Sequence, residues 1–310
     1  MERSSLMIAA MVAGMLSGAA GQQPPPDAPM KINVDHAGIC AYQLEPLQKA
    51  FAAMGLETIY GGAHSTSGTH NALLGFDDGS YLELIAPNPD SAVKTKTNDY
   101  DALKPDRAQT CFWATGSRNI LNDVLQLRKL GFEIQSPQLG SRKRPDGILV
   151  VWDTAAFDEK SGGDILPFFI QDRGLRSIRI KPSPSVAGSE LRGIEWVVTG
   201  VKDLDASIAL IRKAYGWPAP TLASDTAFGA RMAYFAGTPV ILAAPLDKSS
   251  WLNGQLEKFG QGPIGLLIGS KDFAASSKRF KLSGETSWFG RKLAWFDAEK
   301  LHGARLGVVE

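Results

Sequence analysis

The stretch THNALLGFDDGSYLELIAP, residues 69–87, holds two short apolar runs separated by Asp78-Gly79. An Asp-Gly pair between apolar runs favours a tight β-hairpin, because glycine readily adopts the backbone conformation that such turns require. The stretch therefore predicts two antiparallel strands, at residues 70–76 and 80–86. Within each strand, alternate side chains share a face of the sheet.

Upstream of the hairpin, the sequence predicts a strand, a helix and another strand. Residues 32–41 (INVDHAGICA) have the composition of a strand, and residues 44–54 carry apolar side chains at helical spacing. Gly55 ends the helix, and residues 56–60 fit a strand. The order is therefore strand–helix–strand–strand–strand, a βαβββ unit.

Three further passes of the same order follow along the chain. They begin with strands at residues 110–114, 193–198 and 263–269, each followed by a stretch with helical periodicity. Two domains of two units each are therefore expected, in an α+β fold. The predicted segments are a signal peptide (1–20), a linker (21–31), a first domain (32–172), a second linker (173–192) and a second domain (193–310).

The composition indicates a globular protein and excludes several classes of partner. The 310 residues contain 33 Lys and Arg against 32 Asp and Glu, a formal net charge of +1. This balance gives no basic surface for nucleic acid and no polybasic membrane patch. The sequence has no phosphate-binding loop and no dinucleotide fingerprint, so we expect no nucleotide cofactor.

The first twenty residues have the features of a signal peptide. An uncharged apolar run, residues 6–16 (LMIAAMVAGML), is followed by Ser17-Gly18-Ala19-Ala20. The run is shorter than the roughly 20 apolar residues that span a bilayer, and small residues precede signal-peptide cleavage sites. We expect a secreted or periplasmic protein with no membrane attachment after cleavage. A buried N-terminal helix is the alternative.

Motifs in residues 32–172 resemble those of the glyoxalase-like domains of the vicinal-oxygen-chelate superfamily. That superfamily includes glyoxalase I, extradiol dioxygenases, methylmalonyl-CoA epimerase and bleomycin-resistance proteins. The resemblance implies tandem βαβββ modules whose sheets curl into open, barrel-like cups, with the site inside. The matching motifs are Asp35-His36, Gly61-Gly62-Ala63-His64, Gly68-Thr69-His70-Asn71-Ala72-Leu73, residues 81–87 (YLELIAP) and Arg144-Pro145-Asp146-Gly147, whereas residues 193–310 match only in outline.

Strand alternation suggests that His36, His70 and Glu83 line one cup. Glu83 lies between two leucines, where a carboxylate is costly unless it meets a polar cavity or a cation. Two imidazoles and a carboxylate form many catalytic metal sites. By the resemblance, His36 and Glu83 match the metal-ligand positions of the superfamily, and His70 matches the narrower glyoxalase-like motif.

A metal centre and a metal-free polar pocket are both consistent with these residues. The ligand types fit Zn, Ni, Mn or Fe(II). A bound metal would act as a Lewis acid on a chelated carbonyl or enediolate, with Glu83 or water as the base.

The other three units lack ligand-type residues at the corresponding positions. We therefore interpret the second domain as degenerate, with a role in packing, in a homodimer or in closing the first cup. The residues at those positions are Thr110 or Cys111, Phe168-Phe169, Trp196, Ile241, Gly265 and Gly307.

Further candidates for substrate binding are Arg142, Arg144 and Asn71. The two arginines precede a Pro-Asp-Gly turn, and either lie in a solvated loop or bind a substrate carboxylate or phosphate. Asn71 falls on the face opposite His70 if the strand is regular. His64 lies in a Gly/Ser/Thr loop and is expected to be exposed, with a loop lid or a supporting contact to the site residues as the alternative.

The two cysteines, Cys40 and Cys111, would be able to form a disulfide in an oxidising compartment. The alternative, which we favour from the sequence, is that they are two small buried side chains on strands. The sequence does not decide between the two.

Three functions remain open from the residues: two that act on or bind a small molecule, and an interaction module with the degenerate second domain as its dimer surface. The first is an exported, metal-assisted enzyme of lyase, isomerase or dioxygenase type that acts on a small anionic or oxygen-chelating substrate. The second is a non-catalytic protein that sequesters a small molecule, as the resemblance to bleomycin-resistance proteins implies. The set of His36, His70 and Glu83 favours the enzyme, and the missing ligands of the second unit favour the binding protein.

Overall fold

The computed structural model describes residues 29–93, 95, 100, 103 and 107–310. The predicted signal peptide, and all but the last few residues of the first predicted linker, lie outside the described residues. No helix within the described part is long and apolar enough to cross a membrane.

The first domain consists of two βαβββ modules, as predicted. Helix α1 begins at Leu44 and buries Leu47 and Phe51 against the barrel, and the chain then turns at Gly55. The elements are β1 (Val34–Ala41), α1 (Leu44–Ala53), β2 (Ile59–His64), β3 (Thr69–Gly75), β4 (Tyr81–Pro87), β5 (Ala108–Gly116), α2 (Ile120–Lys129), β6 (Gln138–Lys143), β7 (Leu149–Ala155) and β8 (Phe168–Asp172).

These eight strands close into a barrel in the order β1-β4-β3-β2-β6-β7-β8-β5. Strand β1 pairs in parallel with β4 and antiparallel with β5, so it joins the two modules at one seam. The register sets His36 beside Tyr81 and Gly38 beside Glu83. The interior of the barrel is therefore lined by these alternate residues.

The second strand of the second module, which the sequence predicts near residues 132–134, lies further along the chain. Residues 132–134 form only an isolated bridge, between Ile134 and Phe157. Strand β6 instead comprises Gln138–Lys143, and its ladder to β7 pairs Arg142 with Val150. The solvated-loop interpretation is therefore wrong for Arg142, which is buried on β6, whereas Arg144 follows the strand and leads into the turn.

The segment between the domains is more than a linker. It contains a short helix, α3 (Arg176–Arg179), and then returns to the first barrel, where the Ser183 amide donates to the carbonyl of Gly75 (2.9 Å). This return places the side chains of α3 at one end of the barrel.

The second domain repeats the architecture as an eight-stranded sheet in the order β10-β11-β12-β9-β13-β16-β15-β14. Helix α5 is an addition to the predicted elements. The elements are β9 (Leu191–Gly200), α4 (Leu204–Tyr215), β10 (Thr221–Asp225), β11 (Ala230–Tyr234), β12 (Val240–Pro245), α5 (Trp251–Phe259), β13 (Gly262–Ser270), α6 (Phe273–Phe280), β14 (Ser283–Trp288), β15 (Arg291–Trp295) and β16 (Leu306–Val309).

Large apolar side chains fill the interior of the second sheet. Trp196 and Ile241, at positions where a metal-binding module would carry ligands, are fully buried. The Trp196 ring lies 5.2 Å from that of Tyr234, and a second aromatic cluster surrounds Trp288. The interior is therefore an apolar core.

The two domains pack on each other through β13 and β5 and share one apolar core. The Ala108 amide donates to the carbonyl of His302 (2.7 Å), and the Ile194 amide donates to Ser80 Oγ (3.0 Å). A disulfide joins Cys40 on β1 to Cys111 on β5, so the free-thiol alternative favoured from the sequence is wrong.

Replacing Trp196 with alanine should lower the free energy of unfolding by about 3–5 kcal/mol, because it removes a fully buried ring. Ligand or metal binding by the folded protein should not change. Thermal unfolding measures the first effect, with Leu222→Ala as a control at an exposed position on β10. An unchanged melting temperature combined with lost ligand binding would contradict the structural role.

Candidate functional site

The barrel of the first domain encloses a cavity of about 690 Å³. Polar groups from the first module, from β6 and from α3 line one wall, and aromatic rings of the second module line the other. The polar wall contains His36, His64, Asn71, Tyr81, Glu83, Arg142 and Arg179, and the aromatic wall contains Phe112, Trp152 and Phe168.

The Glu83 carboxylate lies at the centre of the polar wall and is buried. Asn71 Nδ2 donates to Glu83 Oε1 at 2.6 Å. His36 Nε2 lies 3.5 Å from Oε2, and His64 Nε2 lies 3.5 Å from Oε1. Residues from β1, β2 and β3 therefore converge on one carboxylate from β4.

A buried ion-pair cluster orients His36. Its Nδ1 contacts Asp35 Oδ1 at 2.7 Å. A shift in the β1–β5 register beside Asp35 lets the side chains of both Asp35 and His36 face the site. Arg179 donates to both Asp35 oxygens, at 2.9 and 2.7 Å, and Arg176 also pairs with Asp35. The His36 ring stacks on Tyr81, with ring centroids 4.7 Å apart. The imidazole is therefore held in one orientation by charge and by packing.

His64 reaches the cavity because β2 is irregular. The β2–β3 register shifts between Tyr60 and Gly62. Gly62 has φ +121, and a Cβ there would lie 2.0 Å from the carbonyl oxygen of Lys143. A Cβ on Gly61 would similarly collide with Asn71 Oδ1. The Gly-Gly pair thus permits the bulge that turns His64 inward, and these glycines are the signal that points to this residue.

The hydrogen bonds of the two rings favour one tautomer for each. The Asp35 carboxylate can only accept, so His36 carries its proton on Nδ1 when neutral. Asn71 Nδ2 lies 3.3 Å from His64 Nε2, so that nitrogen accepts, and Nδ1 donates to Thr69 Oγ1 at 2.8 Å. Both Nε2 lone pairs therefore face the Glu83 carboxylate, an arrangement that a proton or a metal cation between them would stabilise.

His70 does not join this cluster, contrary to the prediction from strand alternation. The side chain of Asn71 faces Glu83, and His70 lies on the outer face, half-exposed, with its ring 6.0 Å from that of Tyr60. The residue of β3 that pairs with Glu83 across the hairpin is Leu73, and not Leu74, which is the residue that shares a face with His70. His70 is therefore separated from Glu83 by the sheet.

The hairpin turn explains why the predicted face was wrong by one residue. The turn uses three residues, Asp77 to Gly79, with Phe76 bonded to Ser80 and Gly79 at φ +86. A two-residue Asp78-Gly79 turn would bring even-numbered residues of β3 to the Glu83 side. One extra turn residue exchanges the faces of the strand.

The candidate substrate-binding residues have different positions. Asn71 and Arg142 line the cavity, and both are buried. Arg142 donates to the carbonyls of Gly61 and Arg179 and forms no ion pair with a described residue. Arg144 lies outside the cup and pairs with Asp146 at 2.6 Å. The structure therefore brings only one of the two predicted arginines to the site.

Aromatic rings occupy the second-module wall, where superfamily sites take further ligands. Phe112 and Phe168 pack edge-on against His36, with centroids 5.9 and 5.6 Å away. Gly38 makes room for Phe112, because a Cβ there would lie 2.3 Å from the ring. Cys111 is bonded to Cys40 and supplies no free thiolate.

Burial shifts several pKa values around the cavity. Desolvation lowers the pKa of His64, although Glu83 opposes this shift. Desolvation also lowers the pKa of Arg142 and raises that of Tyr81. For His64 and Tyr81 burial favours the neutral form, whereas Arg142 carries a charge that no described carboxylate pairs.

Comparison with known proteins identifies the family and the fold. Residues 34–215 match the sequence profile of the glyoxalase-like domain. A hypothetical protein from Staphylococcus aureus has a similar fold (TM-score 0.58, 16% identity, 89% of this chain and 98% of that one). So does a triple mutant of 4-hydroxymandelate synthase from Streptomyces coelicolor (TM-score 0.60, 11% identity, 91% of this chain and 92% of that one). No curated protein matches the sequence.

The free energy of unfolding should fall as the pH drops through about 6.5, where histidines of the unfolded chain gain protons. The sign follows because the pKa of His64 is lower in the folded state, so the unfolded state binds more protons in this range. His64→Gln should flatten this dependence. Burial also lowers the pKa of half-buried His70, and His70→Gln should flatten it less. Denaturant unfolding at several pH values tests this, and the reverse order of the two variants would contradict it.

Proposed function

The chain belongs to the glyoxalase-like domain family, and we propose that its first cup is the active site of an exported enzyme for a small anionic or oxygen-chelating substrate. The observation that carries the proposal is the convergence of His36 and His64 on the buried Glu83 carboxylate. A buried carboxylate with so few donors is costly in a protein that only needs to fold. Such groups are typical of catalytic sites.

A divalent metal, as the superfamily implies, is compatible with this donor set. No group of three or more His, Cys, Asp or Glu side chains among the described residues already surrounds a common metal position. The chemistry of the donors nevertheless fits, because His36 and His64 each have a partner on Nδ1 and direct Nε2 at Glu83. A hydrogen-bond partner on the ring nitrogen that does not bind the metal is typical of metal-bound histidine. These three residues would hold the metal, with His64 in the place predicted for His70.

A bound Zn, Ni, Mn or Fe(II) ion would supply Lewis acidity toward a chelated carbonyl or enediolate. The residues of the chain would perform the remaining tasks. Arg142, a buried cation on the cavity wall, would attract a carboxylate or phosphate of the substrate. Glu83 would accept a proton from a carbon next to the carbonyl and return it to the same or the neighbouring carbon, as a lyase or isomerase requires. The aromatic wall would exclude water.

A second candidate function is non-catalytic sequestration of a small molecule. The rings of Phe112, Phe168 and Trp152 favour it, because they form an apolar wall where a fully equipped site would carry ligands. Such a protein would bind an aromatic or planar ligand without converting it. The two functions differ in whether Glu83 exchanges a proton with the ligand.

Export is supported by the apolar run at residues 6–16 and by the disulfide between Cys40 and Cys111. Disulfides persist in oxidising compartments and are rare in the cytosol. We therefore propose that the protein acts outside the cytoplasm.

The metal-binding proposal predicts that wild-type protein binds about one equivalent of Zn²⁺ or Ni²⁺ after dialysis. Glu83→Gln and His64→Ala should each weaken binding by about tenfold or more, because each removes a ligand. Elemental analysis and isothermal titration measure this, and His70→Ala provides the matched control on the outer face of the same sheet. If His70→Ala weakened binding as much as His64→Ala, the proposed ligand set would be wrong.

The export proposal predicts a mature chain that begins close to residue 21 and contains no free thiol. Intact-mass measurement before and after reduction, on protein produced in its native host, reports both properties at once. A chain that retains Met1 or Glu2, with both cysteines alkylated without reduction, would contradict export.

A further inference from the structure

A second cavity, of about 410 Å³, lies between the two domains and shares no lining residue with the cup. The first domain contributes the start of β5, and the second domain contributes α5 and the segment before β16. Its polar lining consists of Arg107, Gln109, Thr110, Gln255, Lys258 and Arg305.

Arg305 is the central feature of this interdomain cavity. Its guanidinium carbon lies 3.7 Å from the centroid of the Trp251 ring and 5.9 Å from that of Phe228. Trp251 is itself fixed by a hydrogen bond from Nε1 to the carbonyl of Phe228 (2.6 Å). The stack holds the guanidinium plane in place and leaves the N–H groups at its edge available.

The charge of Arg305 has no counter-ion among the described residues. It forms no ion pair and no side-chain hydrogen bond there, and burial lowers its pKa. Arg305 is partly buried, and an arginine that loses part of its hydration is normally paired with a carboxylate or phosphate, because an unpaired charge is costly. The described lining of the cavity adds two more cations, Arg107 and Lys258, and no carboxylate.

Thr110 provides an independent indication of a missing ligand. Its side chain is 3% exposed, Oγ1 has no hydrogen-bond partner among the described residues, and the residue is part of the cavity lining. Buried hydroxyls are nearly always paired. Nearby, Gln255 Nε2 donates to Gln109 Oε1 across the domain boundary (3.1 Å), which leaves the amide nitrogen of Gln109 as a further donor.

We propose that the interdomain cavity binds a small oxyanion, a carboxylate or phosphate group that pairs with Arg305 and accepts a hydrogen bond from Thr110. Arg107 and Lys258 supply the surrounding positive potential. Because the ligating groups come from both domains, the bound anion stabilises the domain interface. The site is distinct from the cup of the first domain and does not depend on the activity proposed there.

Thermal unfolding of the full-length protein with inorganic phosphate or acetate, at constant ionic strength, tests the proposal. At least one of the two anions should raise the melting temperature, and the more effective one identifies a phosphate or a carboxylate group as the ligand. Isothermal titration should give an affinity about tenfold or more weaker for Arg305→Gln, because charge-assisted hydrogen bonds are lost. Without added anion, the melting temperature of this variant is the baseline for its response to anions, because the substitution removes both the stack on Trp251 and a charge that has no counter-ion among the described residues.

Arg291→Gln is the matched control. Arg291 also stacks on a tryptophan, with 4.8 Å to the Trp196 ring, but it already pairs with Glu195 at 2.6 Å. Lys258→Gln, at an exposed position on α5, tests the site without changing the core and should weaken binding less than Arg305→Gln. The proposal is overturned if neither anion stabilises the wild type, or if Arg305→Gln and Lys258→Gln respond to anions as the wild type does.

Discussion

The burial of the Glu83 carboxylate inside a closed barrel is the constraint on which the first domain depends. A charged group in such a place needs donors or a cation around it. Asn71 supplies the shortest contact, and His36 and His64 approach from either side. The register of β3 against β4 is therefore critical, because a slip of one residue would turn Asn71, which donates to the carboxylate, to the outer face.

The need to orient His36 extends this constraint beyond the barrel. Its partner Asp35 is buried and pairs with Arg179 from helix α3, in the segment between the domains. A carboxylate buried behind an imidazole is stable only with a counter-charge of this kind. The interdomain segment is consequently part of the site.

The sequence was sufficient to predict the repeated βαβββ modules, the two domains and the inward positions of His36 and Glu83. These features follow from residue periodicity and from family motifs, and both can be recognised within short stretches of the sequence. The faces of His70 and His64 were not predicted, because they depend on a three-residue turn and on a bulge at Gly61-Gly62. Each irregularity exchanges the two sides of a strand at a single residue.

Contacts between distant segments were equally inaccessible from the sequence. Arg179 lies 144 positions after Asp35, and no local pattern indicates that they meet. The same holds for the interdomain cavity, where Arg305 and Thr110 line the same space from different domains. In both places the residues are ordinary in sequence, and only the contacts made in the folded chain distinguish them.

The account depends most on the two imidazoles presenting unprotonated Nε2 atoms to Glu83. Long-range ¹H–¹⁵N correlation spectra of the histidine rings in neutral, metal-free solution report this directly. The account predicts a proton on Nδ1 and a bare Nε2 for both His36 and His64, with the Nε2 resonances shifting when Zn²⁺ is added. Protons on the Nε2 atoms of both rings, unchanged by Zn²⁺, would contradict it.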